Sequence, residues 1–529
     1  MEISRIPLKD IPQFSKRDLA YIEEIAALRP FYKYTVALNS FESVIADKKQ
    51  DRTDRPLLVN ALKEQYRSLT TSDLVNKHID SLLEEHTFTI VTAHQPSLFT
   101  GPLYYIYKIL STVRLTEVLK EKYPAYNFVP VFVSGAEDHD FEEVNHAQIF
   151  NNTINWENHE KGAVGQMSTS KLDKPLVALK EMLGDHENAV SIYQKIEKAY
   201  TGNATYGKAT VELVHELFKS FGLIVLDMSV AALKRAAIPI FKKELLEQVS
   251  APLVESSISK LNEIGFSAQA SPRELNLFYL HQQIRSRIVF ENGKYEVLDS
   301  SFSFSESELL AELDNHPERF SPNVVMRPLY QELILPNLAY IGGGGEIAYW
   351  LERKSQFEHF GINFPMLIRR SSGLIISKGP AKKMTKLDLS LTDLTKEEDD
   401  LIKYFITKNA TSEMSLDKQK AQFKTIFDEI NVLAKAIDPT LSGTVKAEQT
   451  KQLKSLEAME ARFVKAEKNK REVSVNQIKA LKESLFPARS LQERKVNFLS
   501  FYIKHGAAFF EELKRHLNPL DKDFVVFVE

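Results

Sequence analysis

Residues 87–108 read TFTIVTAHQPSLFTGPLYYIYK, and residues 127–135 read NFVPVFVSG. The first seven positions have the character of a short β-strand, a loop from His94 to Pro102 follows, and Leu103 to Tyr123 then read as a helix. NFVPVFVSG is almost continuously apolar, as in a strand buried on both faces of a parallel sheet. Strand, glycine-bearing loop, helix and strand make a βαβ unit, and sheets built from such units bind ligands at the carboxyl ends of their strands. FGLIVLDMS (residues 221–229) extends the same sheet with a buried strand ending in an acid, and NFPMLIRRSS (residues 363–372) completes the pattern. The expected fold class is α/β, a Rossmann-like parallel sheet core with helical insertions.

Working outward, residues 1–86 read as helical and charged, ending in the segment Ser72 to His86 with Leu74, Val75, Ile79, Leu82 and Leu83 on one face. Residues 170–265 are largely helical and residues 266–320 mixed. FSPNVVMRPLY (residues 320–330) and LILPNLAYI (residues 333–341) are strand-like and lead into Gly342-Gly343-Gly344-Gly345-Glu346, with a helix starting near Ile347. Between 390 and 475 the chain is rich in Lys, Glu, Gln and Ala. There Phe423, Ile426, Ile430, Leu433 and Ile437 repeat at alternating three and four, Asp438-Pro439 breaks the helix, and Leu453, Leu456, Met459, Phe463 and Ala466 resume a similar stripe. This predicts an antiparallel coiled-coil arm. Residues 491–516 read as a helix, and FVVFVE (residues 524–529) as a last strand returning to the sheet. The expected division is a helical segment at 1–86, the core at 87–380, the helical hairpin at 381–480 and a C-terminal segment at 481–529 that returns to the core.

At 529 residues the chain exceeds a single ordinary core, and its 43% hydrophobic and 26% charged residues are those of a globular protein. A formal net charge of −3 gives no overall field that would draw it onto nucleic acid or an anionic membrane. The opening MEISRIPLKDIPQF is charged, and no later run reaches ~18 uninterrupted apolar residues, so a cytoplasmic enzyme without nucleic-acid or membrane partners is expected. The chain has no cysteine, which removes disulfides, thiolate zinc sites, iron–sulfur clusters and cysteine nucleophiles.

Three stretches carry candidate chemistry. The loop His94 to Pro102, with Tyr104, Tyr107 and Lys108 on the first turns of the next helix, offers backbone N–H groups, a helix dipole and a lysine, which suits phosphate. An ordinary turn with Pro102 opening the helix is the plainer alternative. His94 also resembles the histidine motif of class I nucleotidyl-transfer enzymes, although Ser97 stands where that motif has its second histidine. After the second strand, Glu137, Asp138, His139, Asp140, Glu142, Glu143 and His146 place five carboxylates and two histidines within ten residues, enough for a general base and a magnesium-facing acid. A helix start with acids in its first turn gives the same pattern. The spacing of the histidines does not fit a structural zinc site. The glycine run allows close backbone approach and positive φ ahead of an apolar helix, the mark of a ligand cradle or of a plain hinge. Lys382-Lys383-Met384-Thr385-Lys386 has the look of a class I lysine signature, but its surroundings read as a solvated basic linker.

Taken together, HQPSLFTGPLYYIYK (94–108), VPVFVSGAEDHDFEEVNH (129–146), SPNVVMRPLYQELILPNLAYIGGGGEIAYW (321–350), FEHFGINFPMLIRR (357–370) and FPARSLQER (486–494) resemble the bacillithiol biosynthesis BshC family of cysteine ligases. The resemblance spans most of the chain; where many members carry Gly-Gln-Gln, this chain has His94-Gln95-Pro96. It implies a Rossmann-like core with helical insertions, a coiled-coil arm used in dimerisation, and addition of cysteine to the amine of glucosaminyl-malate. Because amide formation from a free carboxylate is uphill in water, activation of the carboxylate by ATP and magnesium is expected. Asp138, His139 and Asp140 are the catalytic candidates, with magnesium and amine deprotonation near them, and His94 is a further one from its place in the loop, its role not being carried over by the resemblance. Phosphates are expected against Thr100, Gly101 and Lys108. Gln95, Tyr104, Asn145, Arg327, Gly343, Gly345 and Glu346 complete the substrate and nucleotide site, and Arg489 and Arg494 offer a second anion site, with ordinary interdomain salt bridges the plainer alternative. A class I synthetase-like nucleotidyl-transferase acting on another acid, or a non-catalytic coiled-coil scaffold, remains open on the sequence alone.

Overall fold

In the computed structural model, which describes residues 1–410 and 415–529, the chain begins in a strand. This is β1 (Glu2–Pro7), followed by α1 (Lys16–Ile22), whose first turn is capped by the Ser15 side chain accepting from the Asp18 N–H. The expected βαβ unit forms as β2 (Thr87–His94), α2 (Tyr104–Lys122) and β3 (Asn127–Ser134); a short α3 (Phe141–Val144) follows, and β4 (Ile224–Asp227) adds to the sheet. The stretch read as mixed folds into β5 (Leu277–His281), β6 (Ile284–Glu291), β7 (Lys294–Val297), β8 (Ser303–Phe304) and β9 (Phe320–Pro322), a separate antiparallel sheet of order β8-β7-β6-β5-β9. Then come α4 (Arg327–Ile334), β10 (Asn337–Gly342), α5 (Gly344–Leu351), β11 (Met366–Arg369) and β12 (Ser372–Ile376).

The central sheet has the order β11-β10-β2-β3-β4 with every pair parallel. From β2 the chain steps outward through β3 to β4, then returns to the far side of β2 as β10 and β11. The direction of winding therefore reverses between β2 and β10, the switch point where open α/β sheets form a ligand crevice. Register aligns the carboxyl ends: His94 lies opposite Ser134, Ser134 opposite Asp227, and Gly342 opposite Arg369.

Four local expectations are corrected. Residues 327–330 are helical, because Arg327-Pro328 opens α4 with the proline in the first turn, where its missing N–H costs nothing. Residues 491–516 form two helices, Leu499–His505 and Ala508–His516, parted at Gly506 with φ +59°. The last strand, β13 (Asp523–Val528), forms as read, but joins β1 and β12 in a three-stranded sheet of order β1-β13-β12 instead of extending the central one. In the segment Ser72 to His86, Val75, Ile79 and Leu82 are buried while Leu74 and Leu83 face solvent.

Two compact units emerge, Ile3–Leu374 with Gln492–Phe527, and Ile375–Leu491. The second is helical. Its hairpin, Asp417–Ile437 and Leu441–Lys470, turns at Asp438-Pro439 as the sequence predicts. The apolar stripe is not used up within the pair: Ile430, Leu433 and Ile437 are 40%, 65% and 81% exposed. The Lys382–Lys386 run lies on the helix Lys378–Leu387 with its lysines exposed, so it is solvated but is not a linker.

Candidate active site

Lys108 on α2 and Glu346 on α5 span the switch point. A buried lysine needs a partner, and the Lys108 ammonium donates to both Glu346 oxygens at 2.8 and 2.7 Å and to the Ala93 carbonyl. Glu346 also accepts from the Tyr340 hydroxyl at 2.6 Å and from the Gly343 N–H at 2.9 Å, so its side chain reaches back to cap the start of α5. Burial pushes the Glu346 carboxyl up, but Lys108, Tyr340 and the Gly343 N–H outweigh it and hold it at about 2. Burial lowers Lys108, against the pull of Glu346. Lys108 is therefore committed to Glu346 and is not free for phosphate, a correction to the sequence reading. Thr100 and Gly101 are turned inward as well. They sit in a left-handed turn with φ of +69° and +63°, buried, and Asn497 donates to the Phe99 and Gly101 carbonyls at 2.8 and 2.6 Å, so the loop faces protein.

His94, at the end of β2, has both nitrogens engaged. Nδ1 donates to the Gln95 carbonyl at 2.9 Å, so Nε2 accepts from the Tyr104 hydroxyl at 2.8 Å. Burial, and then Lys108, push the imidazole down to about 4, and it is neutral at physiological pH.

Gln95 links this loop to the acidic segment, its Nε2 donating to Asp138 Oδ2 at 2.6 Å. Asp138 Oδ1 accepts from the His139 backbone N–H at 2.7 Å and lies 3.9 Å from Arg285. Burial raises the Asp138 carboxyl, yet Arg285, Gln95 and the His139 N–H together bring it below its ordinary value. Arg285, on β6 of the antiparallel sheet, is 7% exposed, stacks on Phe278 at 4.2 Å and reaches a His139 nitrogen at 2.5 Å. A guanidinium has only donors, so whichever ring nitrogen faces it must accept, and the imidazole proton sits on the other. His139 is thus held neutral as an outward donor; burial and Arg285 lower it against Asp138 and Asp140. Beside it Lys234 holds Glu137 at 2.7 Å. Asp140 and Glu143 remain exposed, and burial together with repulsion from Asp140 and Asp138 raises Glu143. Asn145 closes the turn after α3, its Nδ2 donating to Glu142 at 3.3 Å.

None of the four glycines uses a positive φ. Gly343 caps α5, Gly345 has open space where a Cβ would point, and a Cβ on Gly344 would fall 2.6 Å from the Asp18 carboxylate, which pairs with Arg369 at 3.0 Å. Arg370 pairs with buried Glu493 at 2.7 Å, lies 5.3 Å over the Tyr104 ring, and keeps an unpartnered Nε facing Gly343. Arg327 donates to Gln331 and Tyr349 within reach of the Glu346 field. Arg494 is exposed and acts on Tyr104, whereas exposed Arg489 belongs to the other unit.

The structure thus joins the three stretches through Gln95–Asp138 and Lys108–Glu346. Sequence reading missed Arg285, Tyr340, Arg370 and Glu493. For Arg285 a signal existed: Asn292-Gly293, with φ of +52° and +77°, is the two-residue hairpin turn that pairs Glu291 with Lys294. Among the described residues no group of three or more histidines and carboxylates could hold a metal ion. Asp138 does not fit as a magnesium ligand, because the Arg285 guanidinium stands 3.9 Å from it and no group of three or more histidines and carboxylates among the described residues surrounds it.

The model of the bacillithiol biosynthesis BshC N-terminal Rossmann-like domain matches residues 1–371, and that of the BshC C-terminal coiled-coil domain matches residues 373–529. A protein of Flavobacterium johnsoniae named "Putative cysteine ligase BshC" is 43% identical over 97% of both chains, and one of the same name from Flavobacterium psychrophilum is 42% identical over 97% of both. Among solved structures, the tryptophanyl-tRNA synthetase of Plasmodium falciparum aligns at 10% identity over 88% of this chain and 95% of that one with a TM-score of 0.18, too low to carry an argument.

Proposed function

From the premise that this chain belongs to the bacillithiol biosynthesis BshC family, we propose that it is a cysteine ligase that joins the cysteine carboxylate to the amine of glucosaminyl-malate at the expense of ATP. The observation that supports this most directly is the meeting of Gln95 with Asp138 across the ends of β2 and β3, beside the crevice that Lys108–Glu346 spans. Amide formation from a free carboxylate is uphill in water, so ATP enters as its magnesium complex and the carboxylate oxygen attacks phosphorus, releasing pyrophosphate or ADP. The amine nitrogen then attacks the acyl carbon and expels AMP or phosphate.

The chain's own groups supply position and charge. Arg370 Nε, Arg327 and the amino end of α5 face the anionic leaving group. Ionised Asp138 attracts the incoming amine, and His139 donates outward. Glu143, with its raised carboxyl, accepts the amine proton. The test incubates purified protein with cysteine, ATP and glucosaminyl-malate and follows the ligated thiol by mass spectrometry. Product from wild type and its loss in Asp138→Asn support the reading; wild-type rates in Asp138→Asn remove it. The exposed stripe of the arm supports a homodimer formed through the hairpin, and a cytoplasmic location follows from the proposed reaction.

A further inference from the structure

β11 presents Arg369 to the candidate active site at its carboxyl end and has a cavity at its amino end. The cavity is about 630 Å³, the size of a small-molecule site, and its lining includes Arg29, Tyr32, Lys33, Phe357, Asn363 and Phe364. The acids around it are already matched: Asp47 lies 2.9 Å from Lys33, Asp51 2.9 Å from Lys48, Glu358 3.4 Å from Lys354, and Glu24, whose charge acts on the Tyr32 hydroxyl, 3.7 Å from Lys522. Arg29 has no such match. Its guanidinium donates to the Tyr32 and Lys33 carbonyls at 2.8 and 3.0 Å, and among the described residues it forms no ion pair.

Two buried donors add to it. Asn363 Oδ1 accepts from Lys33 at 2.6 Å and from Tyr34 at 3.1 Å, which fixes the amide and leaves Nδ2 as a donor. Among the described residues Nδ2 and the Tyr32 hydroxyl have no partner, although Asn363 is only 9% and Tyr32 2% exposed. Buried polar groups are rarely left so. One free cation and two free donors over a floor of Phe357 and Phe364 recognise an acceptor-rich anion with an apolar body.

We propose that this cavity is an effector site for a small carboxylate with an apolar body, its charge on Arg29 and its oxygens on Asn363 and Tyr32. The ligand is an effector and not a reactant, because the length of β11 separates it from the candidate chemistry. Its binding reaches that chemistry through α1. Tyr32 packs edge-on against Tyr21 at 5.4 Å, Tyr21 donates to the Leu367 carbonyl of β11 at 2.8 Å, and Asp18 on the same helix holds Arg369 and abuts Gly344.

The test titrates full-length protein with phenylacetate by isothermal calorimetry. Saturable binding on the order of millimolar is expected, weakened about tenfold by Arg29→Gln and by Asn363→Asp. Tyr32→Phe keeps the ring on Tyr21 and is expected to weaken binding without lowering the melting temperature, since the lost hydroxyl had no partner. Asp138→Asn, in the candidate active site, leaves it unchanged. Absence of saturable binding, binding indifferent to all three cavity substitutions, or binding lost in Asp138→Asn overturns the site. Hydrogen exchange over residues 16–22 slows on saturation if the ligand is an effector, and unchanged exchange there overturns that role.

Discussion

The two sides of the crevice use charge in opposite ways. On the β10 side, buried Lys108 is matched by Glu346, whose side chain is 25% exposed, and buried Arg370 is matched by Glu493 through its terminal nitrogen. On the β3 side, His139 and Asp138 are 51% and 40% exposed at their side chains, and Asp140 and Glu143 face solvent. The Lys108–Glu346 pair is spent on itself, so its role is to hold β2, α2, β10 and α5 in register while Arg370 Nε faces the leaving group of the proposed reaction. The half-exposed cluster keeps exposed carboxylates and an outward donor, and the proposed proton transfer belongs there.

The largest effect expected from breaking this contrast is on stability. Glu346→Gln leaves the Lys108 ammonium buried without its countercharge and should cost about 3–5 kcal/mol in denaturant unfolding, whereas Glu346→Leu with Lys108→Met restores most of it. Acid separates the same role: the Glu346 carboxyl lies at about 2 against an ordinary 4.5. Its contribution is therefore full above pH 4.5 and lost as pH falls towards 2; the variant should lack that loss. On the other side the effect is on rate. Glu143→Gln should lower kcat on the order of a hundredfold with little change in melting temperature. In wild type the rate rises with pH through the raised Glu143 value, and the variant should lose that limb. Arg285→Gln removes the charge that lowers His139, so its imidazole should titrate higher by NMR, and Nδ1 or Nε2 becomes free to take a proton. The smallest expected change is in the arm. Leu433→Glu, at an exposed position, should alter stability by no more than about 0.5 kcal/mol, while sedimentation shows loss of the proposed dimer.

Much of the fold is legible residue by residue. TFTIVTA and NFVPVFVSG became paired parallel strands: the first is rich in β-branched residues and the second almost continuously apolar, as suits a strand buried between two layers. The Asp438-Pro439 break became the hairpin turn. MRPLY misled because its apolar residues suit a strand, and only the proline's fit to a helix start decides otherwise. FVVFVE has a strand's pattern, but that pattern does not name its neighbours, and it pairs in a second sheet. In the site, Asp138 and Gln95 could be singled out from their positions after strands. The commitment of Lys108 and the inward turn of Thr100 and Gly101 could not, since a lysine after a loop looks the same whether it faces phosphate or Glu346, 238 residues away.

By itself the sequence determined the α/β class, the helical arm and the placement of polar residues at strand ends, because periodicity and chain breaks are local properties. Tertiary structure alone decided which of those residues are spent on one another and which stay free. Arg285 arrives from a different sheet, and Glu493 and Asn497 from the far end of the chain. Partners so distant in sequence meet only once the core is packed, and burial then fixes each group's charge and each histidine's proton.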